Sequence, residues 1–220
     1  MKTLIHFVGD LLSFVAIVFI VLLGWGDTRT FFAHGARVGW VVVTICAVVQ
    51  SLWTERSLNR GLRATGRQGR ELILLETATF ACYFLAAFGD RRGILTLPES
   101  DALRYAGLAI YFAGRALRAY ALIHLGRYFS VFLTIQEDHR LVTNNIYRLM
   151  RHPSYTGLLL HSLGFAIIFR SSIALVAWFG LLIFLIRRMN REEAVLASEF
   201  GAAWQGYRAR TAWRLWPGIY

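Results

Sequence analysis

The sequence is short of acid, lysine and cysteine, and each shortage narrows what the chain can be. Thirteen Asp and Glu residues face 24 basic ones in 220 residues, and Lys2 is the only lysine. The charged fraction of 17% is below that of an ordinary soluble domain of this length. Cys46 and Cys82 lie far apart inside apolar blocks with no metal-ligand spacing, so they read as buried, inert thiols. No G-x-G-x-x-G turn joins a strand to a helix, which removes support for a Rossmann-type cofactor domain. There is no internal repeat, low-complexity tract or linker, so residues 1–220 read as a single domain.

Apolar residues are abundant, at 56% with a mean hydropathy of +0.48. They gather into blocks long enough to cross a bilayer, which takes roughly 20 helical residues. Spans are predicted over about Val8–Trp25, Val38–Trp53, Leu72–Phe88 and Tyr105–Ile123, with Trp25, Trp40 and Trp53 near their ends. No small-x-small cleavage site follows the first block, so it is expected to be retained. Two shorter runs, Tyr155–Phe169 and Ile173–Ile186, flank Arg170-Ser171-Ser172 and predict a C-terminal helical hairpin. Polar sequence after Arg187 is expected to stay helical to about Tyr207. The fold class is therefore all-α: a polytopic integral membrane protein with four transmembrane helices (residues 1–123) and a C-terminal helical hairpin within residues 124–220.

The net charge of +11 is carried by arginines in the loops, where they serve topology and lipid headgroups rather than nucleic acid. Arg56, Arg60, Arg63, Arg67 and Arg70 follow the second span, and Arg127, Arg140, Arg148 and Arg151 follow the fourth. Arg187, Arg188, Arg191, Arg208, Arg210 and Arg214 crowd the C-terminal region. The positive-inside rule places all three groups, and both termini, in the cytoplasm.

Chemistry concentrates after the fourth span. His139-Arg140-Leu141-Val142-Thr143-Asn144-Asn145-Ile146-Tyr147-Arg148 leads into Arg151-His152-Pro153-Ser154-Tyr155-Thr156-Gly157. Asn144-Asn145 is a turn signal, because asparagine tolerates positive φ, and Pro153 suits the first turn of a helix. The hairpin would bring this stretch beside Arg187-Arg188 and Glu192-Glu193. Elsewhere, His124 and His161 read as structural. Glu76 is costly inside a span and is expected to pair with Arg115 or Arg118, or to line an acceptor cavity with them.

The order H-x-L-V-T-x-x-I-Y-R-x-x-R-H-P-S-Y-x-G, apolar hairpin, R-x-x-x-E-E, F-G-x-x-W-x-x-Y and a terminal proline resembles the isoprenylcysteine carboxyl methyltransferase family. The wider group includes the phospholipid methyltransferases, and the resemblance runs over roughly Gly126 to Pro217. It implies that S-adenosylmethionine is held by Gln136, His139, Arg140, Leu141, Val142, Tyr147, His152, Pro153, Ser154, Tyr155 and Glu192, and that Arg188 faces the substrate carboxylate. Asn145 and Leu149 depart from it, standing where the family has a glycine and an aromatic.

The residue chemistry agrees with these roles. Methyl transfer to a carboxylate needs no general base, because the acid is already ionised at neutral pH. It needs alignment, and an arginine is the natural clamp for a carboxylate. Arg188 is thus expected to orient the acceptor and Glu192 to pair with the cofactor ammonium. The expected acceptor is a lipophilic or lipidated acid from the bilayer, with membrane lipids as the surrounding partners. N-methylation of a phospholipid or other lipophilic amine is the alternative and would need a route for a proton. A non-enzymatic membrane protein that keeps the fold is the other.

Overall fold

The computed structural model describes residues 2–51, 66–128 and 140–220. They form α1 (Lys2–Trp25), α2 (Thr28–Phe32), α3 (Gly35–Ser51), α4 (Gly66–Arg92), α5 (Asp101–Leu125), α6 (Pro153–Ile168) and α7 (Ser172–Arg210). Among the described residues the only β contact is one isolated bridge, Thr96 to Ser171. The fold is all-α, and α1, α3, α4 and α5 coincide with the four predicted spans. Three helices, over Gly69–Arg92, Asp101–Leu125 and Ser172–Arg210, are long and apolar enough to cross a membrane.

Large apolar side chains face outward all round the bundle: Phe19 and Leu23 on α1, Ile73 and Leu74 on α4, Phe112 on α5, Val176 and Phe179 on α7. A water-facing surface would not carry such a belt, whereas hydrocarbon solvates it and the helices satisfy their own backbone groups. Inside, Trp25, Phe31, Trp40, Phe165 and Phe169 form one aromatic core cluster. Arg37 enters this cluster, its guanidinium 4.2 Å from the Trp25 ring and bonded to the carbonyls of Phe31 and Thr30. The short α2 was not predicted. It is capped by Asp27, which accepts from the Arg29 backbone N–H and the Thr30 hydroxyl.

The predicted hairpin is present, but α6 packs most closely on α5, not on α7. An added Cβ on Gly157 would lie 2.6 Å from the Arg118 backbone nitrogen, and one on Gly107 would lie 2.8 Å from that of Ile168. Gly114 and Gly164 face His161 and Tyr111 just as closely. Small residues let two membrane helices touch backbone to backbone, where dispersion contacts are densest. The returning arm continues as helix past Arg187, as expected: residues 172–200 run unbroken for roughly 43 Å, so their polar end projects beyond a hydrocarbon core of about 30 Å. Gly201, at φ +49°, breaks the helix locally before Trp204 and Tyr207 pack back.

The end of the bundle away from α6's first turn is fastened by a buried ion cluster. The Asp90 carboxylate, fully buried, accepts from Arg104 at 2.7 and 2.8 Å and from Arg170 at 2.7 and 2.9 Å. Arg104 also bonds the Ile168 carbonyl and Glu99. One carboxylate thereby joins the end of α4, the start of α5 and the α6–α7 turn. Backbone bonds from Leu97 to Arg170 and from Ser172 to Leu95 close the same junction. Glu76 does not form the expected pair. It is exposed on α4, while Arg118 donates to the Ser154 carbonyl at 2.9 Å.

Candidate functional site at the feet of α6 and α7

The first turn of α6 is held by the chain's last ten residues. Arg151 and His152 donate backbone N–H bonds of 2.9 Å to the carbonyls of Trp213 and Arg214. The Thr156 hydroxyl donates to Leu215, which is buried against Leu159, Leu185 and Met189. Pro153 occupies the first helical turn, as expected, with His152 as its N-cap.

Glu193 stands at the centre of this junction. Its carboxylate accepts from Arg151 Nε at 3.0 Å and from Arg214 at 2.8 and 3.2 Å, and it lies 3.0 Å from His152 Nε2. Arg151 also donates to the carbonyls of Thr211 and Ala212. Burial works against the charge on Arg214, but its bonds to Glu193 and Tyr220 outweigh that and raise its pKa. A buried carboxylate ringed by these donors is a fastening, and it fixes the orientation of the His152 ring.

Glu192, one residue earlier, turns about 100° away on the helix and does something else. Its side chain is 33% exposed, against 8% for Glu193. Glu192 Oε2 accepts from the Tyr155 hydroxyl at 2.7 Å, and the Tyr155 oxygen accepts from Arg188 Nε at 2.9 Å. The His152 ring lies nearly parallel to that of Tyr155, with centroids 5.5 Å apart. Leu181, Phe184, Arg188 and Glu192 follow at helical spacing along one stripe of α7. Leu181 and Phe184 line a cleft of about 490 Å³ between α4, α6 and α7, with Leu74 and Cys82 of α4 and Phe165 of α6 on its other sides. Moving along α7, an apolar cleft thus gives way to a cation and then to an accessible carboxylate. At the polar end, Glu71 of α4 bonds Arg191 of α7 at 2.8 Å.

The predicted site residues divide into four groups. His152, Pro153, Ser154, Tyr155, Arg188 and Glu192 come together at the two helix feet, Ser154 through its carbonyl bond to Arg118. Arg140, Leu141 and Val142 lie on irregular backbone, with Arg140 exposed, and no hydrogen bond among the described residues ties them to these feet. Gln136 and His139 fall outside the described residues. Tyr147 is buried: its hydroxyl donates to the Ala121 carbonyl at 3.2 Å and its own carbonyl accepts from Tyr207 at 2.8 Å. Burial, and then the charge of Glu192, raise the Tyr147 pKa, so it stays a neutral strut between α5 and α7. Asn145 adopts φ +50°, the conformation expected of it where a glycine is usual.

Sequence reasoning missed the part played by Arg118 and Arg214. Arg214 looked like one topological charge among many, and nothing in its neighbourhood signalled that it closes on Glu193. Arg118 was read as seeking an acid, whereas its described bond is to a carbonyl.

Comparison with known proteins bears on the same region. Residues 107–198 match the profile of the isoprenylcysteine carboxyl methyltransferase (ICMT) family. The match opens in α5, a helix earlier than the sequence motifs, consistent with the close contact of α5 and α6 as part of the site's scaffold. A probable protein-S-isoprenylcysteine O-methyltransferase of Oryza sativa subsp. indica is 34% identical over 115 residues, covering 50% of this chain and 60% of that protein. Protein-S-isoprenylcysteine O-methyltransferase B of Arabidopsis thaliana is 36% identical over 108 residues, 47% of this chain and 54% of its own length. The chain therefore spans little more than half the length of these relatives. The solved structure of a eukaryotic intramembrane Ras methyltransferase ICMT superposes with a TM-score of 0.54 at 21% identity, covering 80% of this chain and 63% of that one. The resemblance to the family is thus found in sequence and in fold.

Proposed function

We propose that residues 1–220 act as one integral membrane methyltransferase domain, transferring a methyl group from S-adenosylmethionine to the carboxylate of an isoprenylcysteine-like lipidated acid. The observation that carries this reading is the chain Arg188–Tyr155–Glu192, set at the polar end of the α4–α7 cleft. The matched relatives, named as isoprenylcysteine O-methyltransferases, give the reaction class.

The residues present fit such a donor. Glu192 is an accessible carboxylate for an ammonium group, and the parallel rings of His152 and Tyr155 offer a π face to a cation. When bound, S-adenosylmethionine supplies a methyl group on a cationic sulfur, which an ionised carboxylate accepts without a base. The protein's own work is placement. Tyr155 receives the Nε proton of Arg188 and so sets the plane of the guanidinium that would receive the acceptor's carboxylate. The acid loses its charge on methylation, so a clamp already shared with Tyr155 avoids holding the ground state too tightly. The apolar cleft beyond Phe184 would take the acceptor's hydrocarbon. Arg148, Arg151, Arg187 and Arg188 gather at this end, which supports a site facing the cytoplasm by the positive-inside rule.

Cofactor binding by the purified protein in detergent tests the reading. Wild-type protein is expected to bind S-adenosylmethionine in calorimetric titration and Glu192→Ala to lose most of that affinity. No binding by folded wild-type protein would remove the donor from the proposal.

A further inference from the structure

A second groove opens on the opposite side of α5. It lies between α3 and α5, has a volume of about 320 Å³, and is lined by Val42, Cys46, Gln50, Phe112, Arg115 and Arg118 among others. Its outer walls are apolar and exposed, with Val42 and Phe112 facing outward. Among the described residues, no Asp or Glu lines it. Arg115 makes no hydrogen bond or ion pair among the described residues. A guanidinium in apolar surroundings is costly without a counter-charge.

Depth decides what that counter-charge belongs to. Arg118 is level with Ser154, in the first turn of α6, where the polar site begins. Arg115 lies one helical turn deeper, about 4.5 Å along α5, within reach of a headgroup by side-chain extension. Among the described residues the groove is lined by α3 and α5 alone, and neither Arg188 nor Glu192 of α7 is among its lining residues; Arg118 is the residue it shares with the foot of α6. We propose that the α3–α5 groove binds an anionic phospholipid of the surrounding bilayer, its phosphate at Arg115 and an acyl chain along Val42 and Phe112. Bound there, the lipid would brace α5 beside Arg118, the residue that holds the Ser154 carbonyl at the foot of α6.

The two cysteines supply the test, because each lines a different cavity: Cys46 the α3–α5 groove and Cys82 the α4–α7 cleft. Full-length protein in phosphatidylcholine nanodiscs, with or without phosphatidylglycerol, is alkylated with N-ethylmaleimide, and both rates are followed by mass spectrometry. Phosphatidylglycerol is expected to slow Cys46 several-fold relative to Cys82 in wild-type protein. Arg115→Gln is expected to abolish the effect and Arg115→Lys to keep it. Equal slowing at the two cysteines, no slowing, or protection that persists in Arg115→Gln would overturn the proposal. The wild-type comparison decides the matter even if Arg115→Gln does not fold. An S-prenylated cysteine acid added to phosphatidylcholine discs should leave Cys46 unprotected. Protection of Cys46 that depends on Arg115 would assign the groove to the methyl acceptor and also overturn the proposal. None of these readouts requires methyl transfer, so they stand apart from the fate of the proposed activity.

Discussion

The Tyr155 hydroxyl sits 2.7 Å from Glu192 Oε2 and accepts the Arg188 Nε proton on its other side, so one phenol joins the two charged groups given opposite tasks. Tyr155→Phe keeps the ring that lies parallel to His152 and removes only that joint. A hydrogen bond to a charged group contributes about 1.5–3 kcal/mol, so kcat/KM for an acid acceptor should fall roughly tenfold to a hundredfold. The fold should survive, which thermal unfolding in detergent would verify. Unchanged kcat/KM would show that Arg188 and Glu192 are placed without Tyr155.

Glu193 differs from its neighbour in kind. It compensates Arg151 and Arg214 and bonds His152, and Glu193→Gln leaves two guanidinium groups short of a counter-charge. Removing one member of a buried charge cluster costs about 3–5 kcal/mol. We expect a clearly lower unfolding temperature and release of the tail from Thr211 onward, read as faster amide exchange at Arg151 and His152. Glu192→Gln should leave both readouts nearly unchanged, because the partly exposed carboxylate bonds Tyr155 and holds no part of the tail.

The Asp90 cluster predicts a defect far from the chemistry. Asp90→Asn removes the charge opposed to Arg104 and Arg170 and should destabilise the protein by about 3–5 kcal/mol, seen as a fall in folded yield or unfolding temperature. Protein that does fold should bind cofactor with wild-type affinity, since the cluster lies at the other end of the bundle. A selective loss of cofactor affinity with normal stability would contradict this.

The α5–α6 contact predicts a steric defect. Gly157→Ala places a methyl group against the Arg118 backbone nitrogen and the Gly114 carbonyl, at 2.6 and 2.7 Å. Backbone cannot turn aside as a side chain can, so overpacking should cost about 1–3 kcal/mol in thermal unfolding. Gly69→Ala, where an added Cβ meets nothing, is the matched control and should be neutral or slightly stabilising.

Hydropathy located the helices because lipid selects for apolar length, and α1, α3, α4 and α5 fall where the blocks do. Hydropathy fades at Arg187, yet α7 continues as helix past Tyr207, as the sequence leads one to expect, with a local break at Gly201. It missed α2, whose five residues are too few for periodicity to register. The Arg151–Tyr155 stretch and the Arg188–Glu193 stretch were legible as a site because their spacing matched a family and a hairpin would bring them together. Partnership was not legible: that Glu193 meets Arg151, Arg214 and His152 while Glu192 stays partly exposed beside Tyr155 depends on the helix face and on a tail about 20 residues away. The same holds for Asp90, Arg104 and Arg170, which stand far apart in the sequence and meet only in the fold. The bonds of Tyr147 to Ala121 and Tyr207 were likewise not legible in the sequence.

The central claim is that Arg188 orients an acid acceptor at a methyl-transfer site. Transfer of a labelled methyl group from S-adenosylmethionine to S-prenylated cysteine acids, fatty acids and amine lipids, by wild-type protein and Arg188→Ala, tests it most directly. The account predicts methylation of the prenylated acid by wild-type protein and a loss of at least about a hundredfold in Arg188→Ala, with cofactor binding kept. Methylation of amines but not acids, or an Arg188→Ala enzyme as active on the acid as wild type, would contradict it.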